Sequence, residues 1–342
     1  MDRNMVLVTG VTGFVGGYVA EELLTAGYDV RGVARDPGRA QVEHLHEAAR
    51  RSGTRFDVAP ASLTEDAGWD AAVEGVHAVA HVASPAPKAR PKDEDEVIRP
   101  AVDGTRRVLR AAARVGVRRV AVTSSIDAVR SGHDLRDGRV LDEDTWSIAE
   151  RSDPYAKSKT LAERTAWELA GELDLELVTL LPGLVLGQVR GRETNVSVDL
   201  IRQLMARELP ALPRLGFTLV HVRDVATAHR LALEVDAAVG RRFILATEAI
   251  WLADIARVLD EEFGPRAHRI PRRELPSWAV RLGARLNPTM RVALPLLDTP
   301  AATSSDRARA ELGWTSYPAR QAIVDAAESL VAAGVVAPAR GS

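Results

Sequence analysis

Apolar residues fall in two alternating patterns along the first half of the chain, short unbroken runs and stripes at helical spacing. Residues 5–8, Met-Val-Leu-Val, form an unbroken run that stops at Thr9-Gly10, which predicts a strand buried on both faces. After a glycine-punctuated turn, residues 14–26 carry Val15, Val19 and Leu23 on one helical face, and Gly27 suits the end of that helix. The alternation continues with a strand at 29–34, a helix at 39–51 closed by Gly53, and a short strand near Phe56. A helix at 66–73 and a strand at 78–82 follow. A long helix is predicted over 94–115 through Val102, Val108, Leu109 and Ala112, broken early by Pro100 and stopped by Gly116. Strands at 119–123 and 175–181 flank a further helix at 155–172. Alternating strands and helices predict an α/β fold with a doubly wound parallel sheet, whose ligands bind at the carboxyl ends of the strands.

Past Pro182 the alternation decays. Helices are predicted near 196–207, 222–234 and 251–262, with a strand at 242–246. Pro271, Pro276, Pro288, Pro295 and Pro300 cut the next stretch into short elements, and a terminal helix at 318–333 is amphipathic through Ile323, Ala326, Leu330 and Val331. This divides the chain into a nucleotide-binding domain at 1–182 and a smaller, mixed α/β substrate-binding domain at 183–338, with 217–247 returning to the first. Residues 187–194 are polar and arginine-rich, which fits either a lid or an ordinary surface loop.

Composition narrows the chemistry. The 342 residues include no cysteine, which excludes disulfides, thiolate zinc sites and a cysteine nucleophile. The eight histidines lack a His-Glu-x-x-His spacing, and His44 and His46 read as solvated helix positions, so no metal is expected. A formal net charge of −2 gives no reason to expect nucleic acid as a partner. No apolar run approaches a membrane span, and only four residues precede the first strand, so the expectation is a cytoplasmic protein acting on a small molecule. Of 45 basic residues only four are lysines (Lys88, Lys92, Lys157 and Lys159), and two of these sit beside Tyr155. A lysine in so arginine-rich a chain marks a place where arginine will not serve.

Three features could carry chemistry. Gly10, Gly13 and Gly16 stand between a strand and a helix, where glycines let the backbone approach a pyrophosphate held by free N–H groups at the helix start. Tyr155 and Lys159 are spaced i, i+4 behind Pro154, which suits the first turn of a helix. A free phenol has a pKa of about 10; a nearby ammonium and the helix N-terminus would lower it toward the working range. The spacing alone also occurs on ordinary helices. Thr123-Ser124-Ser125 ends the fifth strand, where a hydroxyl can donate to a substrate carbonyl as charge develops on its oxygen or can simply satisfy a turn.

Together these features resemble an extended short-chain dehydrogenase/reductase over nearly the whole chain. Val-Thr-Gly-Val-Thr-Gly-Phe-Val-Gly (8–16) resembles that family's cofactor motif, and Tyr155-Ala-Lys-Ser-Lys159 its active-site motif. His-Val-Ala-Ser-Pro (81–85), Pro-Ala-Val-Asp-Gly-Thr (100–105) and Val-Thr-Ser-Ser (122–125) are similar to the branch of dihydroflavonol reductases, cinnamoyl-CoA reductases and microbial aldehyde or ketone reductases. So are 153–163, Asp-Pro-Tyr-Ala-Lys-Ser-Lys-Thr-Leu-Ala-Glu, and 220–229, Val-His-Val-Arg-Asp-Val-Ala-Thr-Ala-His. The resemblance implies a Rossmann domain with Tyr155 as proton donor, Lys159 lowering its pKa and holding the nicotinamide ribose, and Ser125 binding the carbonyl. Ser125 is chosen over Ser124 because the family pattern leaves four residues ending in valine after the serine, here 126–129. The cofactor would contact Thr9, Gly10, Thr12, Gly13, Phe14, Val15 and Gly16 at the turn. Ser62 and Leu63 would meet adenine, and Val82, Ala83, Ser84 and Thr123 line the strand ends. Pro182, Gly183, Leu184 and Val185 would flank the nicotinamide.

Cofactor choice follows from charge. Arg35 ends the second strand where an acid would select NAD, and its planar fork fits a 2′-phosphate, so NADP(H) is expected over NAD(H). The bland alternative is a surface arginine paired with Asp36. Two departures from the family pattern matter: Ser62 replaces the usual aspartate near adenine, and Ala101 replaces an asparagine of nucleotide-sugar enzymes. The expectation is an NADPH-dependent reductase of a small or medium aldehyde or ketone, with a nucleotide-sugar epimerase or dehydratase and a non-catalytic NADP-binding regulator as alternatives. The substrate pocket is expected from Ser84-Pro85, 126–129, 187–195 and the region after Pro271, and a homodimer from the two long helices.

Overall fold

The apolar run that opens the chain becomes the centre of a sheet. The computed structural model describes residues 4–85, 91, 93–190, 195–264, 270–285, 293–300 and 302–336. Six strands come first: Met5–Thr9 (β1), Asp29–Ala34 (β2), Phe56–Pro60 (β3), Ala78–His81 (β4), Arg119–Thr123 (β5) and Glu176–Pro182 (β6). Leu184–Leu186 (β7), Leu212–Pro213 (β8) and Gly216–His221 (β9) then leave the sheet, and Arg241–Leu245 (β10) returns to it beside β6. The order is β3-β2-β1-β4-β5-β6-β10, and every pairing is parallel.

Both faces of this sheet are buried, which is why β1 is apolar throughout. Val6 and Val8 point to one side, onto Phe14–Thr25 (α1) and Glu43–Ser52 (α2). Leu7 points to the other side, in a core with Trp69 of Trp69–Val73 (α3) and with Val108 and Leu109 of Asp95–Arg114 (α4). After the short Asp127–Arg130 (α5), Pro154–Leu173 (α6) packs along α4 on that second face. Pro100 does not break α4. The carbonyl left without a partner by the missing N–H belongs to exposed Glu96, where water can satisfy it.

Beyond β6 a smaller unit forms around Val196–Met205 (α7), Leu252–Phe263 (α9) and the terminal Ala319–Ala332 (α12). Val222–Glu234 (α8) lies instead on the main sheet against α1; Ser277–Gly283 (α10) and Asp306–Glu311 (α11) are short. β9 is flanked by β7 and by Ala249–Trp251 (β11), so Phe217 and Leu219 join the second core with Ile255, Ile323 and Leu330. A two-residue pairing joins β8 to Glu274–Leu275 (β12). The expected helix at 39–51 begins only at Glu43, because the Asp36 side chain accepts a bond from Gly38 N–H and winds Pro37–Arg39 into a separate turn. No helix among the described residues is long and apolar enough to cross a membrane.

Candidate active site

The carboxyl edge of the sheet gathers the predicted residues, beginning with the glycine turn. Gly10 has φ +75°, a conformation that favours glycine, and a Cβ there would sit 3.0 Å from the Ala83 backbone. A Cβ on Gly16 would lie 2.1 Å from the Gly10 carbonyl oxygen, so α1 can approach the turn only as glycine. Gly13 donates to that same carbonyl (2.9 Å) and caps α1 with no side chain on the helix's free N–H groups and no acid in its first turn. Uncapped donors at a helix start form an anion site, and the turn therefore fits a pyrophosphate.

The Thr9 hydroxyl anchors the turn to the neighbouring strand. Its Oγ1 accepts from Val82 and Ala83 N–H (both 3.0 Å), so its own proton goes to His81 Nδ1 (2.9 Å). His81 Nε2–H then faces Thr105 Oγ1 (3.5 Å), which donates to the Ala101 carbonyl (2.8 Å). Burial, with Lys159 nearby, holds the His81 imidazole at about 3, so it is neutral. The chain of bonds clamps the β1 turn to the end of β4, placing Val82, Ala83 and Ser84 beside the glycines.

Asp153 accepts from Tyr155 and Ala156 N–H (2.9 and 3.2 Å), and Pro154 starts α6, so Tyr155 is fixed at the helix N-terminus. Ser125 stands beside the Tyr155 phenol and pulls its titration down, against the larger effect of burial. The Ser125 hydroxyl accepts from Asp127 N–H (3.1 Å) and faces the Asp127 carboxylate (3.4 Å), which is itself paired with Arg130 (2.9 Å). Lys159 is 6% exposed and donates to the Thr123 carbonyl (3.2 Å). The expected lowering of the phenol is not what this arrangement produces. Burial, reinforced by Asp127, raises Tyr155 above the ordinary phenol range, and it stays protonated at neutral pH. Burial lowers Lys159 to about 8, against the pull of Glu163 and Asp127.

The two serines divide their work. Ser125 faces Tyr155, whereas Ser124 points into the protein and donates to Glu163 (2.6 Å). Thr123 turns its hydroxyl to His229 Nε2 (2.7 Å), whose Nδ1–H donates to the Val225 carbonyl (2.8 Å), so only its main-chain oxygen faces Lys159. Asp127, Glu163, Arg242 and His81 were not picked out from the sequence as site residues. Three of them lay within stretches already singled out: His81 in 81–85, Asp127 in the 126–129 turn, and Glu163 four residues past Lys159; nothing in the sequence pointed to Arg242.

Arg35 stands just past β2, exposed, and among the described residues it has no ion-pair partner. Asp36 pairs with Arg39 instead (3.5 Å). Ser62 bonds the Thr64 hydroxyl (2.9 Å), and Leu63 packs against Gly104 with its carbonyl held by Arg107 (2.8 Å). Pro182 accepts from Ile126 N–H (3.0 Å), and a Cβ on Gly183 would meet the Thr218 carbonyl at 2.5 Å, which seats Leu184 and Val185 against β9. Residues 191–194 of the expected lid and most of the region around Pro288 lie outside the described residues. Among the described residues no group of three or more His, Asp or Glu is placed to hold a metal ion.

The NAD dependent epimerase/dehydratase family matches residues 6–246. Cinnamoyl-CoA reductase 1 of Oryza sativa subsp. japonica is 36% identical over 266 residues, covering 77% of either chain. Tetraketide alpha-pyrone reductase 1 of Arabidopsis thaliana is 34% identical, over 76% of this chain and 82% of its own length. Among solved structures, yeast methylglyoxal/isovaleraldehyde reductase Gre2 complexed with NADPH superposes with a TM-score of 0.79 at 26% identity, over 96% of this chain and 98% of that one. Vestitone reductase from alfalfa superposes with a TM-score of 0.75 at 25% identity, over 97% and 99%.

Proposed function

The chain belongs to the NAD-dependent epimerase/dehydratase family, and from that premise we propose that it is an NADPH-dependent reductase of small or medium aldehydes or ketones, reversible as an alcohol dehydrogenase. The observation that carries the reading is the meeting of Ser125, Tyr155 and Lys159 at the sheet edge beside the glycine turn. Named reductases among its relatives, and the NADPH complex of Gre2, support the same direction.

The residues present fit NADP(H). The uncapped start of α1, from Thr12 to Val15, would hold the pyrophosphate, and Gly10 and Gly16 allow it to approach the backbone. Arg35 would take the 2′-phosphate, Ser62 and Leu63 would border adenine, and Val82 to Ser84 with Lys159 would hold the ribose. The segment from Pro182 to Val185 would back the nicotinamide. When bound, the cofactor supplies or accepts the hydride.

Ser125 offers its hydroxyl to the substrate oxygen and so polarises the carbonyl. Tyr155, kept protonated by desolvation, gives its phenolic proton to that oxygen as negative charge develops there. The Lys159 ammonium stabilises the phenolate left behind. Asp127 draws the Ser125 hydroxyl while the site is free of substrate, and a substrate oxygen must compete for it.

The test is oxidation of NADPH against NADH over a panel of aldehydes, diketones and aryl ketones, with Tyr155→Phe beside the wild type. NADPH turnover that falls at least about 100-fold in the variant is expected from loss of the proton donor. Wild-type turnover that survives intact in Tyr155→Phe, or none with any carbonyl, would sink the reading.

A further inference from the structure

Glu163 is a buried acid for which the reaction outlined above has no use. It stands one helical turn beyond Lys159 on α6 and is 1% exposed. Its Oε1 accepts from Arg242 Nε and Thr179 Oγ1 (both 2.8 Å) and from Trp167 Nε1 (3.4 Å); its Oε2 accepts from Ser124 (2.6 Å) and Arg242 Nη2 (3.3 Å). Arg242 cannot follow a moving partner. Its Nη1 donates to the Glu143 and Thr145 carbonyls (2.7 and 2.8 Å), and its plane lies 3.7 Å from the Trp146 ring centroid.

Resting on the reading of Lys159 as the catalytic lysine, we propose that Glu163 is a positioning residue: fixed by Arg242, Thr179 and Ser124, its carboxylate keeps the Lys159 ammonium charged at the carboxyl end of β5. Lys159 and Glu163 line the same narrow cavity of about 10 Å³, with His81, Thr105 and Ala101 around it. That space has room for about one water, so the buried ammonium is poorly hydrated. A buried ammonium sheds its proton unless an opposite charge stands near it.

The charged and titratable groups around Lys159 come from four elements. Asp127 faces it from α5 and Glu163 from α6; both favour the charged form. Neutral His81 of β4 and Tyr155 of α6 add no countercharge, and Arg242 of β10 reaches only Glu163 among these groups. The adjacent serines thereby acquire separate purposes, Ser125 toward the reacting oxygen and Ser124 toward the carboxylate that holds the lysine.

With four lysines in the chain, side-chain NMR of lysine-labelled protein can follow Lys159 directly, without cofactor, once its signal is assigned by Lys159→Met. The wild-type signal should titrate near 8, and in Glu163→Gln the midpoint should fall by about one to two pH units. Glu163→Asp, which keeps the charge, should recover part of that shift. The alkaline limb of kcat in carbonyl reduction should move in step, because activity needs the ammonium and is lost as pH rises through its pKa. Glu163→Gln strands the Arg242 guanidinium, so the double replacement with Arg242→Met is titrated alongside and should show the same direction. A Lys159 midpoint unchanged in both variants overturns the proposal whatever happens to activity. Turnover that survives Lys159→Met refutes the catalytic reading instead, and the titration still decides for Glu163.

Discussion

Replacing Gly16 by alanine tests the phosphate turn at its tightest point. The added Cβ would stand 2.1 Å from the Gly10 oxygen and 2.6 Å from its carbonyl carbon, both backbone atoms that no rotamer change can move. Real contacts of this kind stay beyond 3.0 Å, so α1 and the turn must part by about 0.9 Å. Gly10 has little room to retreat, because even a Cβ built on it would stand 3.0 Å from the Ala83 backbone, which Thr9 holds in place. Parting them strains the bond from Gly13 N–H to the Gly10 oxygen (2.9 Å) and moves the N–H groups that would face the pyrophosphate. Overpacking costs about 1–3 kcal/mol and a lost hydrogen bond about 1 kcal/mol. The expected outcome is a stability loss of about 2–4 kcal/mol in urea unfolding and NADPH binding weaker by at least about 10-fold, read by fluorescence titration. Gly171→Ala is the control, since that helical position has open space within 4 Å. It should gain about 0.5–1 kcal/mol with binding unaltered. Equal stability and equal NADPH affinity in Gly16→Ala would refute the steric argument.

Two further substitutions probe charge. Arg35→Ala should raise the KM for NADPH by about 10- to 100-fold while leaving NADH kinetics unchanged, the loss expected of charge-assisted bonds to a phosphate; equal effects on both cofactors would remove Arg35 from the 2′ site. Asp224, 5% exposed, is pushed up to about 6 by burial, so the native state binds its proton more tightly than the unfolded chain. Stability therefore falls as pH rises from about 4 through 6, by about 3 kcal/mol, and the deficit persists above that range. Asn at position 224 keeps an acceptor for Tyr317 N–H (2.8 Å) but carries no charge, so Asp224→Asn should raise Tm above pH 6 and match the wild type below pH 4. A Tm difference that ignores pH would contradict this.

What the sequence revealed was what local pattern encodes. The two-sided burial of β1 was legible in an apolar run, the start of α6 in Asp153-Pro154, and the turn in three glycines. Pairings between distant segments were not. Nothing near Glu163 announces Arg242, and nothing near Thr9 announces the main chain of Val82 and Ala83, because those partners meet only after the sheet is assembled. β9 was less legible for a different reason: Gly216, Thr218 and His221 interrupt its apolar residues, so it shows neither the unbroken run of a buried strand nor clean alternation. The direction of the Tyr155 shift was misjudged because spacing shows that a lysine is near, whereas desolvation depends on the whole surrounding fold.

The late return of β10 has a consequence for synthesis on the ribosome. When β6 has emerged, its outer edge, with Leu177, Val178, Leu180 and Leu181, offers unpaired backbone groups on an apolar strand. Some 60 residues, including β7 to β9, α7 and α8, must be translated before Arg241–Leu245 arrives, roughly 3–12 s at ordinary elongation rates. The same strand delivers Arg242, so the nascent chain carries Glu163 without its guanidinium during that interval. Sheet edge and buried charge are completed by a single late event. Nascent chains from which residue 182 but not residue 245 has emerged are therefore the species that would recruit holdase chaperones, and emergence of residue 245 should release them.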